Sequence, residues 1–244
     1  MTETPCWVVI PAAGAGRRMG AAIPKQYLDL AGLPVLEHSL RLFLDHPRIR
    51  GLAVALDPTD ERWDGLPSAR HPAVLRVPGG SERCHSVLNA LDALAGRAGR
   101  DDWVLVHDAA RPCLRRADLD RLIATLDGHP VGGLLGIPVR DTMKAADAGG
   151  EVQRTVPREG LWHAFTPQMF RLGPLQEALT RALAAGQLVT DDASAMELAG
   201  LRPLLVEGHA DNLKITRPED LPLAHFYLTQ QGRIPDGAGN VRQG

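Results

Sequence analysis

The chain has 244 residues, 44% hydrophobic and 23% charged, so it can bury a sizeable core and wholesale disorder is excluded. Its 27 basic and 29 acidic residues give a net charge of −2, which argues against nucleic acid as a partner but leaves room for a local anion pocket. The three cysteines form no paired motif and no apolar run approaches about 18 residues. We therefore expect no membrane span, no disulfide framework and a cytoplasmic location.

Apolar segments alternate with amphipathic ones over the first 139 residues. The predicted strands lie at 7–10, 51–56, 73–77, 103–106 and 131–139, and the predicted helices at 34–44, 81–95 and 118–126. Short apolar strands that alternate with helices are typical of a mostly parallel sheet covered on both faces. The pattern therefore predicts an α/β fold.

The pattern breaks near residue 140. Residues 140–160 are polar and contain Gly149-Gly150 between two short strand-like segments, which predicts a protruding β-hairpin arm. The arm has little core of its own, so we expect it to pack against a second subunit or to fold back. Helices at 173–185, 193–199 and 218–227 and a strand at 203–206 follow. We predict one domain over 1–231, with the arm inserted at about 140–160, and a flexible tail at 232–244.

A glycine-rich loop follows the first strand, where open α/β sheets bind ligands. It runs from Pro11 to Gly20 and is followed by Pro24-Lys25. Position 19 holds Met19 rather than the glycine of a dinucleotide-binding loop, and no Gly-Lys-Ser/Thr of a P-loop is present. Glycines let backbone N–H groups approach phosphate oxygens. The loop is thus either a phosphate-binding loop of another class or a solvated basic turn.

Asp108 follows the fourth predicted strand in the segment His-Asp-Ala-Ala-Arg-Pro. A carboxylate at a strand's carboxyl end can bind Mg²⁺ that bridges phosphate oxygens. The alternatives are a helix N-cap or a structural ion pair with Arg111. The convergence of this loop with the cationic first loop favours metal-assisted nucleotide chemistry.

Two further segments carry polar groups that chemistry could use. In residues 79–86, the glycines and Ser86 could contact a base and ribose, or the segment is a plain strand-to-helix turn capped by Ser81. In residues 211–220, Lys214 alternates with Leu213 and Ile215, which turns it away from the core side. The default interpretation of Lys214 is a surface lysine.

Six segments together resemble one family. They are Pro-Ala-Ala-Gly-x-Gly-Arg-Arg-Met with Pro-Lys-Gln-Tyr, Gly-Gly-Ser-Glu-Arg, His-Asp-Ala-Ala-Arg-Pro, Pro-Val-Arg-Asp-Thr-Met-Lys, Thr-Asp-Asp-Ala-Ser-Ala and Asp-Asn-Leu-Lys-Ile-Thr-Arg-Pro-Glu-Asp. In this order they resemble the 2-C-methyl-D-erythritol 4-phosphate cytidylyltransferases of the non-mevalonate isoprenoid pathway, within the sugar-phosphate nucleotidylyltransferases. The resemblance runs from about residue 7 to about residue 229. It implies a Rossmann-like nucleotidylyltransferase fold whose arm serves dimerisation.

The resemblance also implies a reaction and a set of site residues. CTP and methylerythritol phosphate would give the CDP-linked alcohol and pyrophosphate, with Mg²⁺ as cofactor and a homodimer as the active form. The implied catalytic residues are Arg18 and Lys25, which would stabilise charge, Lys214, which would contact the phosphates, and Arg158. Asp108 would bind Mg²⁺, and Arg111 would bind substrate. Thr142, Thr190 and again Arg158 would contact the acceptor, and the CTP site would be lined by Ala12, Ala13, Gly14, Gly16, Gly80, Ser86 and Ala109. Thr142 and Arg158 on the arm would act in the other subunit.

One departure and two alternatives remain open at this point. Pro157 precedes Arg158 where an acidic or polar residue is expected, and proline removes an N–H donor beside that ligand. A pentitol-phosphate (ribitol 5-phosphate) cytidylyltransferase would share the fold, arm and loop. A catalytically dead nucleotide-binding protein would have lost charged site residues, whereas Arg18, Lys25, Asp108 and Lys214 are all present.

Overall fold

A computed structural model describes residues 4–14 and 23–236 of the chain. The strands are β1 Cys6–Pro11, β2 Asp29–Leu30, β3 Leu33–Pro34, β4 Ile49–Leu56, β5 Val74–Pro78, β6 Trp103–Val106, β7 Gly132–Pro138, β8 Met143–Ala146, β9 Val152–Val156, β10 Trp162–Arg171 and β11 Leu204–Glu207. The α-helices are α1 Val35–Leu44, α2 Arg83–Leu94, α3 Arg116–Leu126, α4 Leu172–Ala184, α5 Asp192–Leu198 and α6 Asp220–Gln230. In this part of the chain, no helix combines the length and apolar character needed to cross a bilayer.

Seven strands form one sheet in the order β11-β7-β10-β6-β1-β4-β5. Strand β1 pairs in parallel with β4 and β6, β4 pairs in parallel with β5, and β7 pairs in parallel with β11. Only β10 runs antiparallel to both of its neighbours within this sheet. The predicted α/β fold with a mostly parallel sheet is confirmed.

The core lies on both faces of the sheet because side chains alternate along each strand. Val8 and Ile10 of β1 face the layer of α1 and α3, while Val9 faces the layer of α2, α4 and α5. All three side chains are completely buried. The continuous apolar runs that predicted the central strands therefore reflect burial on two sides.

Strand β10 was not predicted, although it lies next to the centre of the sheet. Its sequence has no continuous apolar run, because Thr166, Pro167 and Gln168 interrupt it. The pairing with β7 also shifts its register between Ala164 and Gln168. A polar strand with a proline lacks the signals by which the other strands were recognised, and it is these polar residues that reach the site described below.

The predicted β-hairpin arm is confirmed as the antiparallel pair of β8 and β9. Asp147 closes its turn, because Oδ1 accepts hydrogen bonds from the N–H groups of Gly149 at 2.9 Å and Glu151 at 3.0 Å. Nearly all side chains of the arm are exposed, and Val152 is 62% exposed. At the base of the arm, Pro138 of β7 pairs with Trp162 of β10.

The predicted starts of helix α2 and of the tail can be compared with the structure. Helix α2 begins at Arg83 with Glu82 as its N-cap residue, and the Ser81 hydroxyl contacts the His85 ring instead of capping the helix. The tail is predicted to start at 232, and within it Arg233 donates hydrogen bonds to the carbonyls of Pro112 and His38. Residues 237–244 of that tail lie outside the described residues.

Candidate active site

The loop after β1 starts in a fixed position at the carboxyl edge of the sheet. The Ala12 N–H donates to the Ala55 carbonyl at 2.7 Å, and Gln26 Nε2 donates to the Ala12 carbonyl at 2.8 Å. Ala12 is buried, Ala13 is half-buried and Gly14 is exposed. The chain thus emerges from the sheet into solvent over three residues. The predicted ligands Gly16 and Arg18 lie outside the described residues.

The loop after β5 lies against this first loop. A Cβ atom at Gly79 would lie 2.3 Å from the Cβ of Ala13, so only glycine allows the contact. The Gly80 N–H donates to Ser86 Oγ at 3.0 Å, and that hydroxyl donates to the Glu82 carbonyl at 3.2 Å. The predicted nucleotide ligands Gly80 and Ser86 therefore form one rigid turn next to Ala13.

His107 holds the turn that follows β6. Its Nε2 hydrogen bonds to the Arg111 carbonyl at 3.0 Å, and its Nδ1 to Thr166 Oγ1 at 3.1 Å. A carbonyl only accepts, so Nε2 carries the proton and Nδ1 accepts from the threonine. Burial lowers the pKa of His107 to about 4, which keeps the ring neutral near pH 7. The Asp108 N–H donates to the same Thr166 hydroxyl at 3.1 Å, which fixes the start of the turn.

Three cations surround the Asp108 carboxylate. Lys214 Nζ lies 2.8 Å from Oδ2, Arg83 Nε lies 3.1 Å from Oδ1, and Arg111 Nε lies 3.7 Å from Oδ2. Burial alone would raise the pKa of this carboxyl, but the nearby Arg83, Lys214 and Arg111 hold that pKa well below its usual range. Asp108 is therefore ionised at neutral pH and sits in a positively charged environment.

The backbone of residues 211–216 brings the other predicted cations to the same edge. Lys25 Nζ donates to the Ile215 carbonyl at 3.2 Å, and the Ile215 N–H donates to the Ala110 carbonyl at 2.8 Å. Arg111 Nη1 donates to the Asn212 carbonyl at 2.6 Å. Lys214 thus contacts Asp108 and is not the surface lysine of the default interpretation. Ile215 beside it is fully buried, as the alternation predicts.

Sequence reasoning missed four residues that complete this arrangement. Thr166 positions His107 and Asp108, and Asn212 Nδ2 donates to the Thr166 carbonyl at 2.8 Å. Arg83 bridges Asp108 to Asp192, whose Oδ2 lies 2.8 Å from Arg83 Nη2. Arg83 and Asp192 both lie inside segments that carry the family resemblance, which was the available signal. Their pairing spans 109 residues, so no local pattern shows it.

Comparison with known proteins decides the family. The family model described as "IspD: 2-C-methyl-D-erythritol 4-phosphate cytidylyltransferase" matches residues 6–230. The chain belongs to this family. Proteins of that name from Pseudomonas savastanoi pv. phaseolicola and Ectopseudomonas mendocina are 57% and 59% identical, covering 93% and 90% of this chain and 97% and 94% of their own. The crystal structure of the Francisella tularensis protein of that name has a TM-score of 0.80 at 36% identity, covering 92% of this chain and all of the other.

The acceptor residues implied for a cytidylyltransferase of this family are not brought to Asp108 by contacts within the described chain. Thr142 is exposed at the base of the arm, and Arg158, also exposed, donates to the Arg140 carbonyl. Thr190 is exposed just before α5. By contrast, Lys25, Asp108, Arg111 and Lys214 are joined by direct contacts or through Ile215 and Asn212. Ala109 is buried in the same turn, where its carbonyl accepts from Ser39 Oγ.

The donor set at this cytidylyltransferase site suits a metal that is shared with substrate phosphates. Within residues 4–14 and 23–236, no group of three or more His, Cys, Asp or Glu side chains is placed to hold a metal ion. Mg²⁺ commonly binds through one or two carboxylates, with the remaining positions filled by phosphate oxygens and water. Asp108 is ionised and follows β6, which pairs with β1, so it is the carboxylate at this edge that would hold such a metal.

Proposed function

We propose that the chain transfers the cytidylyl group of CTP to 2-C-methyl-D-erythritol 4-phosphate, forming 4-diphosphocytidyl-2-C-methyl-D-erythritol and pyrophosphate. The observation that carries this proposal is the meeting of Lys214, Arg111 and Arg83 on Asp108, beside the glycine-rich loops, in a chain of this family. Phosphoryl transfer requires positioning and charge stabilisation more than a protein nucleophile. A cluster of cations around one carboxylate meets that requirement.

In the reaction, an oxygen of the acceptor phosphate attacks the α-phosphorus of CTP in line. The new P–O bond forms as the bond between the α-phosphorus and the bridging oxygen breaks, and pyrophosphate leaves with that electron pair. Negative charge develops on the α-phosphate oxygens and on the leaving group. Lys25, Lys214 and Arg18 are the cations assigned to stabilise that charge, and preorganised donors of this kind contribute a large share of catalysis.

Lys214 has the freedom that its assigned role requires. Its side chain is 38% exposed and its ammonium contacts Asp108 from the solvent side of the cluster. Ile215, the next residue, is completely buried and anchors the backbone. We assign Lys214 to leave Asp108 and contact both the α-phosphate and the incoming phosphate when substrates bind. Its anchored backbone and partly exposed side chain suit that exchange.

We further propose that Asp108 holds Mg²⁺ together with CTP phosphates. The metal would neutralise phosphate charge and orient the triphosphate when bound. The low pKa of Asp108 keeps the carboxylate available as a ligand over the physiological range. Ala12, Ala13, Gly14, Gly80, Ser86 and Ala109 are assigned to the CTP side of the site.

The acceptor is assigned to Thr142, Arg158 and Thr190, with the arm supplied by a second copy of the chain, and Arg111 is assigned to substrate binding without a choice between CTP and acceptor. The arm supports this assignment because, among the described residues, its two strands pair only with each other, nearly all of its side chains are exposed and Val152 is 62% exposed. Such a hairpin needs a partner surface to bury its apolar side chains. We therefore propose a homodimer in which Arg158 reaches the partner's site.

The decisive experiment is pyrophosphate release from CTP and Mg²⁺, with methylerythritol phosphate and D-ribitol 5-phosphate as separate acceptors. We expect turnover with methylerythritol phosphate, at a rate with CTP that is well above the rates with ATP, GTP or UTP. Turnover with the ribitol acceptor only would replace the proposed substrate. If neither acceptor supported pyrophosphate release, the proposed function would be refuted.

We also propose a reducing, cytoplasmic location for this activity. Cys6, Cys84 and Cys113 are free thiols and are buried. Burial raises the pKa of Cys6 to about 11 and that of Cys113 to about 12, so both remain unreactive thiols. Unpaired cysteines of this kind are typical of proteins that stay in a reducing compartment.

A further inference from the structure

Arg83 joins two carboxylates that come from distant parts of the chain. It is the first residue of α2, and its guanidinium contacts Asp108 Oδ1 through Nε at 3.1 Å and Asp192 Oδ2 through Nη2 at 2.8 Å. Asp192 is the first residue of α5, and its side chain is 1% exposed. One planar fork thus connects the turn after β6 with the start of α5.

The desolvation of a buried ion pair such as this one offsets much of its contribution to the free energy of folding. Burial raises the pKa of Asp192, and the pairing with Arg83 offsets that only in part. The second carboxylate oxygen of Asp192 is buried, and no hydrogen-bond partner for it is seen among the described residues. Apolar side chains of similar volume often replace buried ion pairs without loss of stability. Its position beside Asp108 therefore suggests a task other than stability.

Arg83 differs from the other cations on Asp108 in how firmly it is held. Its side chain is 24% exposed and is bonded on both sides, whereas the Lys214 side chain is 38% exposed and contacts Asp108 Oδ2 only through its ammonium. When Lys214 exchanges Asp108 for phosphate oxygens, Arg83 still holds Oδ1. The carboxylate therefore keeps its orientation through that exchange.

Asp192 connects the same pair to the predicted acceptor segment. Thr190 lies two residues before it, and Asp191 caps α5 by accepting the Ser194 N–H at 3.0 Å. Gln168 of β10 donates to Asp191 Oδ2 at 2.8 Å and accepts the Ala193 N–H at 2.7 Å. This segment is thus held by β10 and, through Asp192, by Arg83.

We propose that Arg83 and Asp192 form a positioning pair for the cytidylyl transfer. The pair orients Asp108 at Oδ1 while Oδ2 changes partners, and it fixes the acceptor segment of Thr190 relative to Asp108. This inference rests on the proposed function, because it assigns the pair a task in that reaction. Residues that hold a ligand in position typically affect activity about 10- to 100-fold when they are replaced.

The test is the double variant Arg83→Met/Asp192→Asn, which removes both charges together and retains similar side-chain volumes. Arg83→Met alone would leave a buried carboxylate without its cation and would lower Tm for that reason. We expect the double variant to keep Tm within about 3 °C of the parent. Its kcat should fall about 10- to 100-fold and its KM for the acceptor should rise.

The matched control is Arg100→Met/Glu177→Gln, which removes an ion pair of similar length, 2.7 Å, whose side chains are 65% and 55% exposed. This control should keep parental Tm, kcat and KM. Parental kcat and acceptor KM in a well-folded Arg83→Met/Asp192→Asn variant would overturn the proposal. If the unmodified chain itself released no pyrophosphate, the proposed function would fail instead, so the two failures are distinguishable.

Arg83→Lys carries the test if the double variant does not fold. Lysine retains the positive charge but lacks the planar fork that donates to two carboxylates at once. We expect this variant to fold with a kcat lowered about tenfold and a raised acceptor KM. Parental kinetics in Arg83→Lys would show that charge alone suffices and would contradict a positioning role.

Discussion

The buried ring of His107 makes a measurable contribution to stability that depends on pH. Burial lowers its pKa from 6.5 to about 4, so the folded state binds this proton less readily than the unfolded chain does. The contribution is fully present above about pH 6.5 and is lost as the pH falls towards 4. At about pH 5 the unfolded imidazole is almost fully protonated and the folded one about one-tenth protonated, which amounts to about 2 kcal/mol.

The assay is urea unfolding at about pH 7.5 and about pH 5, at one fixed protein concentration, for the parent and for His107→Gln. Other groups titrate in both proteins, so they cancel in the comparison. Between about pH 7.5 and about pH 5, the free energy of unfolding should fall by about 2 kcal/mol more in the parent than in the variant. Equal losses in the two proteins would refute the assignment of a neutral, buried imidazole that links Thr166 to the Arg111 carbonyl.

Three further predictions concern the loops and the arm. Lys25→Ala should lower kcat by about 10²- to 10³-fold, measured by pyrophosphate release, and an unchanged kcat would remove Lys25 from the charge-stabilising set. Gly79→Ala should destabilise by about 1–3 kcal/mol and raise the KM for CTP, because its Cβ would collide with Ala13, whereas Gly65→Ala, with open space around it, serves as the neutral control. Equal unfolding midpoints for these two variants would contradict the collision. Replacing residues 140–160 by a short turn should give a monomer in ultracentrifugation that binds CTP but does not turn over; an active monomer would exclude an essential role for the arm.

The central strands and the ligand loops were predictable because both follow local rules. Apolar runs indicate buried parallel strands, and the segment after such a strand lies at the ligand-binding edge. The placement of Asp108 and of the loop after the first strand at one edge of the sheet could therefore be predicted from the sequence. The cationic surroundings of Asp108 followed only in part, because the default interpretation of Lys214 was solvent exposure.

Strand β10 and the Arg83–Asp192 pair were out of reach for physical reasons. Thr166 of β10 is buried because it hydrogen bonds to His107, Asp108 and Asn212. No periodicity in the sequence of β10 shows that its polar residues are buried. An ion pair between residues 109 positions apart depends on the packing of α2 against α4 and α5, which only the fold supplies. The roles proposed for Thr142 and Arg158 require a second copy of the chain, which no pattern within one sequence describes.

The way the arm joins the sheet has a consequence for how this protein family can diversify. Both ends of the arm start from adjacent, paired strands, since Pro138 faces Trp162 and the Val139 N–H donates to the Leu161 carbonyl at 2.9 Å. A hairpin of another length or sequence can be joined at these two points without altering the register of the seven strands. If the arm carries the acceptor contacts, as proposed above, exchange of about twenty residues between these two points would change the acceptor preference and leave the loops after β1 and β5 unaltered.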